Sequence, residues 1–347
     1  MDRPEWTREP DLASRRAGGG VVWANDELFA ERENLIKPAP AEFRPYSFGH
    51  KGQIYDGWET RRRREPGHDQ AVVRLGLPGV VSGVIVDTAF FTGNYPPFAS
   101  VEAIAVAGYP SPEELAALEW TTIVPRSPLA GDSENFFAVA DRHRFTHVRL
   151  TIYPDGGVAR FRVHGTPVAD PRLLDLASFD LAALENGARV VAASNMFYSA
   201  PSNLISPGSA TVMGEGWETA RRRDDGNDWV VVELAAEGVP RLAELDTSHF
   251  KGNAPGWASL SGTTDPDAPG AWFEVLPRTR LQPDTRHRFP VDPGRALTHL
   301  RLDIFPDGGM ARLRLHGGLT GPGRAAFSAR FEASSASSVS SASSTDR

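Results

Sequence analysis

Two pairs of carboxylates stand out in this chain: Glu59 with Glu218, and Asp87 with Asp246. Each pair occupies the same place in two copies of a repeated segment. Glu59 lies in GWETRRRREPGHD (Gly57–Asp69), which returns as GWETARRRDDGND (Gly216–Asp228) with 9 of 13 positions identical. Asp87 opens DTAFFTGN and Asp246 opens DTSHFKGN, the same 159 residues apart. Carboxylates so placed could act as general acid or base, or ligate a divalent ion. An Asp that follows an apolar strand could also cap its own loop.

Arginines accompany them. Arg62–Arg64 align with Arg221–Arg223, whereas Arg61 aligns with Ala220. In an extended chain Arg62 and Arg64 point one way and Arg63 the other. A third segment, FTHVRLTIYPDGGVARFRVHG (Phe145–Gly165), returns as LTHLRLDIFPDGGMARLRLHG (Leu297–Gly317) with 14 of 21 identical. Both halves alternate apolar and polar residues around a PDGG turn, the pattern of a two-faced hairpin. Hairpin register would set Arg160 opposite Thr151, Arg162 opposite Arg149 and His164 opposite His147. The second copy would set Arg312 opposite Asp303 and Arg314 opposite Arg301. Facing arginines call for a negative partner, either a ligand carboxylate or a protein side chain. The copies also differ. SFGHKGQIYD precedes the first GWET, so His50 and Lys51 are unique to it, while His249 and Lys251 are unique to the second.

The elements that must position these groups are mostly strands. Gly 33 and Pro 28 imply many turns, and one helix is expected in each repeat, such as Pro112–Trp120 in the first. A repeat near 150 residues is too long for a solenoid unit and reads as two tandem β-sandwich domains. We bound them as an N-terminal tail 1–20, a first repeat 21–168, a second repeat 169–320 and a Ser-rich tail 321–347. The tail segments are expected to be loose or disordered.

Composition removes several function classes. The net charge of −7 disfavours nucleic acid. No apolar run reaches the roughly 20 residues of a membrane span. The absence of cysteine excludes disulfides and thiolate chemistry and suits a reducing compartment. A cytoplasmic protein is therefore expected. P-loop, G-x-S-x-G and H-E-x-x-H motifs are missing. From the residues alone, catalysis and simple ligand or carbohydrate binding both stay open.

The repeated motifs narrow this. GWETRRRREPGHD and GWETARRRD, with FFTGNYPP, FKGNAPG, IYPDGGVARFRVHG and IFPDGGMARLRLHG, resemble the allantoicase family from about Val21 to Gly317. The resemblance implies two jelly-roll, galactose-binding-like domains. It also implies hydrolysis of allantoate to ureidoglycolate and urea. On that reading Glu59, Asp87, Glu218 and Asp246 are the acid/base candidates. His50, Lys51, Arg62, Asn94, Arg160, His249, Lys251, Asn253 and Arg312 are the substrate-binding candidates. Arg160 and Arg312 are expected to clamp the substrate carboxylate. The first repeat is the favoured host because of His50, Lys51 and Asp56. A divalent metal such as Mn²⁺ is left open, and a homo-oligomer is expected.

Overall fold

The structure is a computed structural model describing residues 3–174, 179–268 and 270–335. The chain divides into two compact units, Met1–Val168 with Phe331–Arg347, and Ala169–Arg330.

The first unit contains β1 (Gly20–Ala24), β2 (Phe48–Gly49), β3 (Gly52–Gln53), β4 (Trp58–Glu59), β5 (Asp69–Asp87) and β6 (Phe98–Ile104). They are followed by α1 (Pro112–Ala116), β7 (Thr121–Pro128), β8 (Glu134–Ala138), β9 (Arg144–Tyr153), β10 (Gly157–Val158) and β11 (Arg160–Pro167). The organising element is β5, 19 residues long. Its first half, Asp69–Arg74, pairs with β1 and β9; its second half, Gly79–Asp87, pairs with β11, and Gly83–Asp87 also pairs with β8. One strand therefore serves both layers of the sandwich. Val73, Val81, Val84, Ile85 and Val86 on β5 are fully buried and meet Val148, Leu150, Phe161 and Val163 in the same core. β-Branched residues suit a strand covered this way.

The second unit repeats the plan with β12 (Phe179–Asp180), β13 (Arg189–Ala193), β14 (Trp217–Glu218), β15 (Asp228–Asp246), β16 (Trp257–Thr263) and β17 (Phe273–Arg280). Next come β18 (Arg286–Pro290), β19 (Leu297–Phe305), β20 (Gly309–Met310), β21 (Arg312–Leu319) and α2 (Gly321–Ser335). β15 pairs with β13, β19, β18 and β21, as β5 does with its counterparts. The expected all-β tandem sandwich is present.

Three expectations are corrected. The segments flanking PDGG do not pair with each other: β9 and β11 both pair with β5. Arg149 therefore meets Glu102, and Arg162 meets Asp11, rather than one arginine facing another. The first 20 residues are not a loose tail. Leu12 and Ala13 are fully buried, and the Leu12 amide donates to the Val163 carbonyl at 2.7 Å. Asp11-Leu12-Ala13 is matched by Asp180-Leu181-Ala182, whose Leu181 amide donates to the Leu315 carbonyl, so the first repeat begins earlier than Val21 and the second later than residue 169. Finally, residues 321–335 form α2, with Phe327 buried edge-on against Phe179; the remainder of the Ser-rich tail lies outside the described residues. The helix expected at 112–120 is real but short, ending at Ala116.

Candidate functional site

The repeated motifs lock into one another. β4, from GWET, pairs with β10, from PDGG. Thr60 and Gly156 exchange bonds: the Thr60 amide donates to the Gly156 carbonyl, and the Gly156 amide donates to Thr60 Oγ1, each at 3.2 Å. The Arg63 amide donates to Asp155 Oδ2 at 2.8 Å. Thr219, Gly308, Arg222 and Asp307 repeat the arrangement. The leading glycine is needed because a Cβ on Gly57 would stand 2.7 Å from the Val158 carbonyl oxygen. Trp58 is fully buried and its indole donates to the Asp26 carbonyl at 2.7 Å.

The arginine run divides as period two requires. Arg63 turns inward and donates to the buried Asp69 at 2.7 Å, as Arg222 does to Asp228 at 2.9 Å. Arg61 pairs with Asp26 at 2.6 Å. Arg62 is exposed and lines none of the clefts described below.

Arg160 does not offer a clamp to substrate. It is 1% exposed, and its five N–H groups match five bonds, to the carbonyls of Ala39, Pro40, Asp56 and Ala159 and to the Asp56 carboxylate at 2.6 Å. Arg312 is likewise buried, donating to the carbonyls of Gly208, Glu215 and Ala311. Both arginines pin the loop before GWET to β11 or β21. Asp56 is held ionised: burial pushes its carboxyl up, but bonds from Arg160, the Glu42 amide and Lys37 pull it below its ordinary value.

The carboxylate candidates separate. Glu59 is buried; Asn94 Nδ2 donates to its Oε1 at 2.7 Å, and its Oε2 is buried with no partner among the described residues. Burial raises its carboxyl above the ordinary value, and the Asn94 bond only partly offsets this. Asn253 holds Glu218 in the same way at 2.6 Å, but Glu218 is half-buried. Asp87 and Asp246 each accept a bond at 2.8 Å from an amide two residues on, Ala89 and Ser248. These are loop caps of the kind a short acidic side chain makes. Asp87 is pushed up by burial, and Glu134 nearby adds to this.

The predicted cations also separate. His50 and Lys51 sit at the tip of the β2–β3 hairpin, between Gly49 and Gly52, and line a cleft of about 430 Å³. Its walls include Phe29, Ala30, Asn34, Tyr55 and Asp56. Lys51 Nζ donates to the Glu27 carbonyl at 2.9 Å, and His50 has no hydrogen-bond partner among the described residues. Lys251 is 79% exposed, and His249 caps the Ala210 carbonyl at 3.1 Å. Tyr55, Gln53 and Asn34 of the cleft were not singled out from sequence. The signal for Gln53 and Tyr55 was their position in the insertion that only the first repeat carries, whereas Asn34 lies in NLIKP, which the second repeat matches with NLISP. Among the described residues no three His, Asp or Glu side chains gather as metal ligands, so the donor set does not fit the divalent ion left open above.

This geometry belongs to a recognisable lineage. The allantoicase repeat matches residues 10–168 and again 179–320. The chain belongs to the allantoicase family. It is 59% identical over 320 residues to a probable allantoicase of Nocardia farcinica, covering 91% of this chain and 96% of that protein. A probable allantoicase of Streptomyces coelicolor is 55% identical, with 94% and 90% covered. The crystal structure of allantoicase from Saccharomyces cerevisiae superposes with a TM-score of 0.76 at 34% identity, covering 89% of this chain and 93% of that one. In allantoicase terms, the hallmark segments GWET, F-x-G-N and PDGG are three parts of one interlocked unit, made twice. The first copy adds a cleft under a hairpin that the second lacks.

Proposed function

We propose that this chain is an allantoicase, a hydrolase that converts allantoate and water to ureidoglycolate and urea. The observation that carries this is the match of both repeats to the allantoicase repeat, at 59% and 55% identity to relatives over nearly their whole lengths.

We place the reaction in the first repeat, in the cleft beneath the β2–β3 hairpin. Allantoate presents one carboxylate and two ureido groups on a single carbon. Lys51 keeps donors beyond the one given to Glu27, and His50 lies beside it, so the hairpin tip supplies the carboxylate contact. Asp56 and Lys37 neutralise one another, leaving amide and hydroxyl groups such as Gln53 and Tyr55 for the ureido edges. For urea to leave, the central C–N bond breaks and its nitrogen takes a proton. The neighbouring ureido nitrogen gives up its own proton as an imine forms, and water then adds to the carbon. Glu59 is our acid/base group. Of the four carboxylates it alone has a buried oxygen without a partner, and burial keeps its proton on to higher pH. Its backbone is bridged to Ala30, a residue of the cleft wall. Glu218 and Asp246 belong to a repeat that serves as framework.

We further place the protein in the cytoplasm as a homo-oligomer. The lack of cysteine supports the first, and among the described residues no helix is long and apolar enough to cross a membrane. The test of the activity is urea and ureidoglycolate release from allantoate by the purified chain. Absence of both products would overturn it.

A further inference from the structure

The internal duplication exposes a surface that one repeat covers in part, with Leu28 and Phe29 47% and 42% exposed, and that the other leaves bare. In the first repeat the segment Asp26-Glu27-Leu28-Phe29-Ala30 runs up to the bridge between Ala30 and Glu59. The hairpin tip lies over it: Lys51 bonds the Glu27 carbonyl, and His50 and Lys51 share a groove with Leu28 and Phe29. The second repeat has Asn195-Met196-Phe197-Tyr198-Ser199 at the same place, with Ser199 bridged to Glu218. No hairpin covers it there. Met196, Phe197 and Tyr198 are each about two-thirds exposed (64%, 68% and 67%), and Val212 and Met213 are exposed as well. Met213 lies within 3.3 Å of the Asn253 side chain, which in turn holds Glu218, the residue whose carbonyl receives the Tyr198 amide. Tyr198 and Met213 are thus tied to the same residue, and we take these side chains together as an apolar floor, on which Phe197 and Tyr198 pack edge-on at 4.7 Å. Contiguous exposure of this kind marks an interaction site. The change from Glu27 to Met196 makes the floor more apolar where it is uncovered.

A complementary surface exists on the same chain. The flap leading into the hairpin presents Tyr46, 91% exposed, and Phe48, 69% exposed. Tyr46 is held there at φ 57°, a left-handed backbone that bulky residues avoid.

We propose that the bare floor of the second repeat receives the Tyr46–Phe48 flap of a second copy of this chain. The inference rests on the homo-oligomer reading and supplies its contact. It parallels what the first repeat does with its own hairpin. Because that flap also carries His50 and Lys51, the contact would steady the cleft of the neighbouring copy.

The absence of native cysteine makes the test direct. Phe197→Cys and Phe48→Cys variants are oxidised separately and as an equal mixture. A disulfide dimer specific to the mixture is expected. Dimers formed as readily by Phe197→Cys alone would overturn the flap as occupant, since like would then be pairing with like. Light scattering gives an independent reading: Phe197→Glu, at an exposed position, should reduce the mass of the wild-type assembly while the far-ultraviolet spectrum is unchanged. If Phe197→Glu keeps the wild-type oligomeric mass, the proposed contact fails and the oligomer stands. If the wild type is itself a monomer, both fail.

Discussion

Asn94 holds one oxygen of Glu59 at 2.7 Å and leaves the other buried and unpartnered. Among the described residues the influences on this carboxyl are burial, which dominates and raises its pKa, and the Asn94 bond, which lowers it in part. Glu59→Gln preserves the acceptor for Asn94 but cannot carry an exchangeable acid proton. Turnover of allantoate is expected to fall by about 10²-fold or more, the usual scale of general acid catalysis. Turnover within threefold of wild type would remove Glu59 from the chemistry. The sign of its stability effect is also fixed. Between the ordinary value of 4.5 and the raised folded value, the native state holds more protons than the unfolded state, so stability falls as pH rises. Denaturant titrations across that window should show this loss in the wild type and not in Glu59→Gln.

Arg160 is a structural clamp. Replacing it with Met removes one donor from the Asp56 carboxylate and one from each of four carbonyls. Breaking a buried pair of this kind costs about 3–5 kcal/mol. Arg62→Ala, at an exposed position, should change stability by less than about 0.5 kcal/mol. Equal effects in thermal or chemical unfolding would contradict these assignments.

Lys51→Met and His50→Ala test the cleft. Each removes one charge-assisted or polar contact to the substrate carboxylate, worth about 1.5–3 kcal/mol when charged. We expect kcat/KM to drop about tenfold or more, carried largely by KM. The counterparts His249→Ala and Lys251→Ala should leave it within about twofold. The opposite pattern in steady-state kinetics would move the site to the second repeat.

His147 provides a separate pH prediction. It is 2% exposed, and burial, with Arg74 adding, lowers its pKa from 6.5 to about 4. Between those values the unfolded state binds the extra proton, so stability is present above 6.5 and is lost as pH falls towards 4. The full difference is about 3 kcal/mol. His147→Gln should flatten the unfolding free energy over that range, as measured by urea titration at stepped pH.

Much of the architecture was legible because each strand keeps one face apolar, as Val148, Leu150 and Ile152 do, and because the motifs occur twice. The pairing was not. Alternation on both sides of a PDGG turn satisfies a hairpin locally, but β5 is long enough to take β9 along one half and β11 along the other. Arg160 was misread for the same reason. Period two places it on a polar face, and nothing in sequence shows that the loop before GWET folds over that face and buries it. The opposite facing of Arg63 from Arg62 and Arg64 did follow from spacing, but that Arg63 is the one turned inward, onto Asp69, is set by the fold. His50 and Lys51 stood out as an insertion in one copy. The tie between Glu59 and Asn94 spans 35 positions and could be seen only in three dimensions.

The bond from Leu12 to Val163 has a consequence for biosynthesis. A ribosome releases Leu12 about 150 residues before its partner exists, and β4 must wait about 100 residues for β10. Contacts so distant along the chain form slowly and expose strand edges meanwhile. During that wait β5 can meet only its own repeat's later strands. Once the second copy has emerged, β21, identical to β11 at 4 of 8 positions, competes with it for the same edge. The order of synthesis thus protects the duplicated chain from pairing its first half with its second, and refolding of the full-length protein from denaturant forfeits that protection.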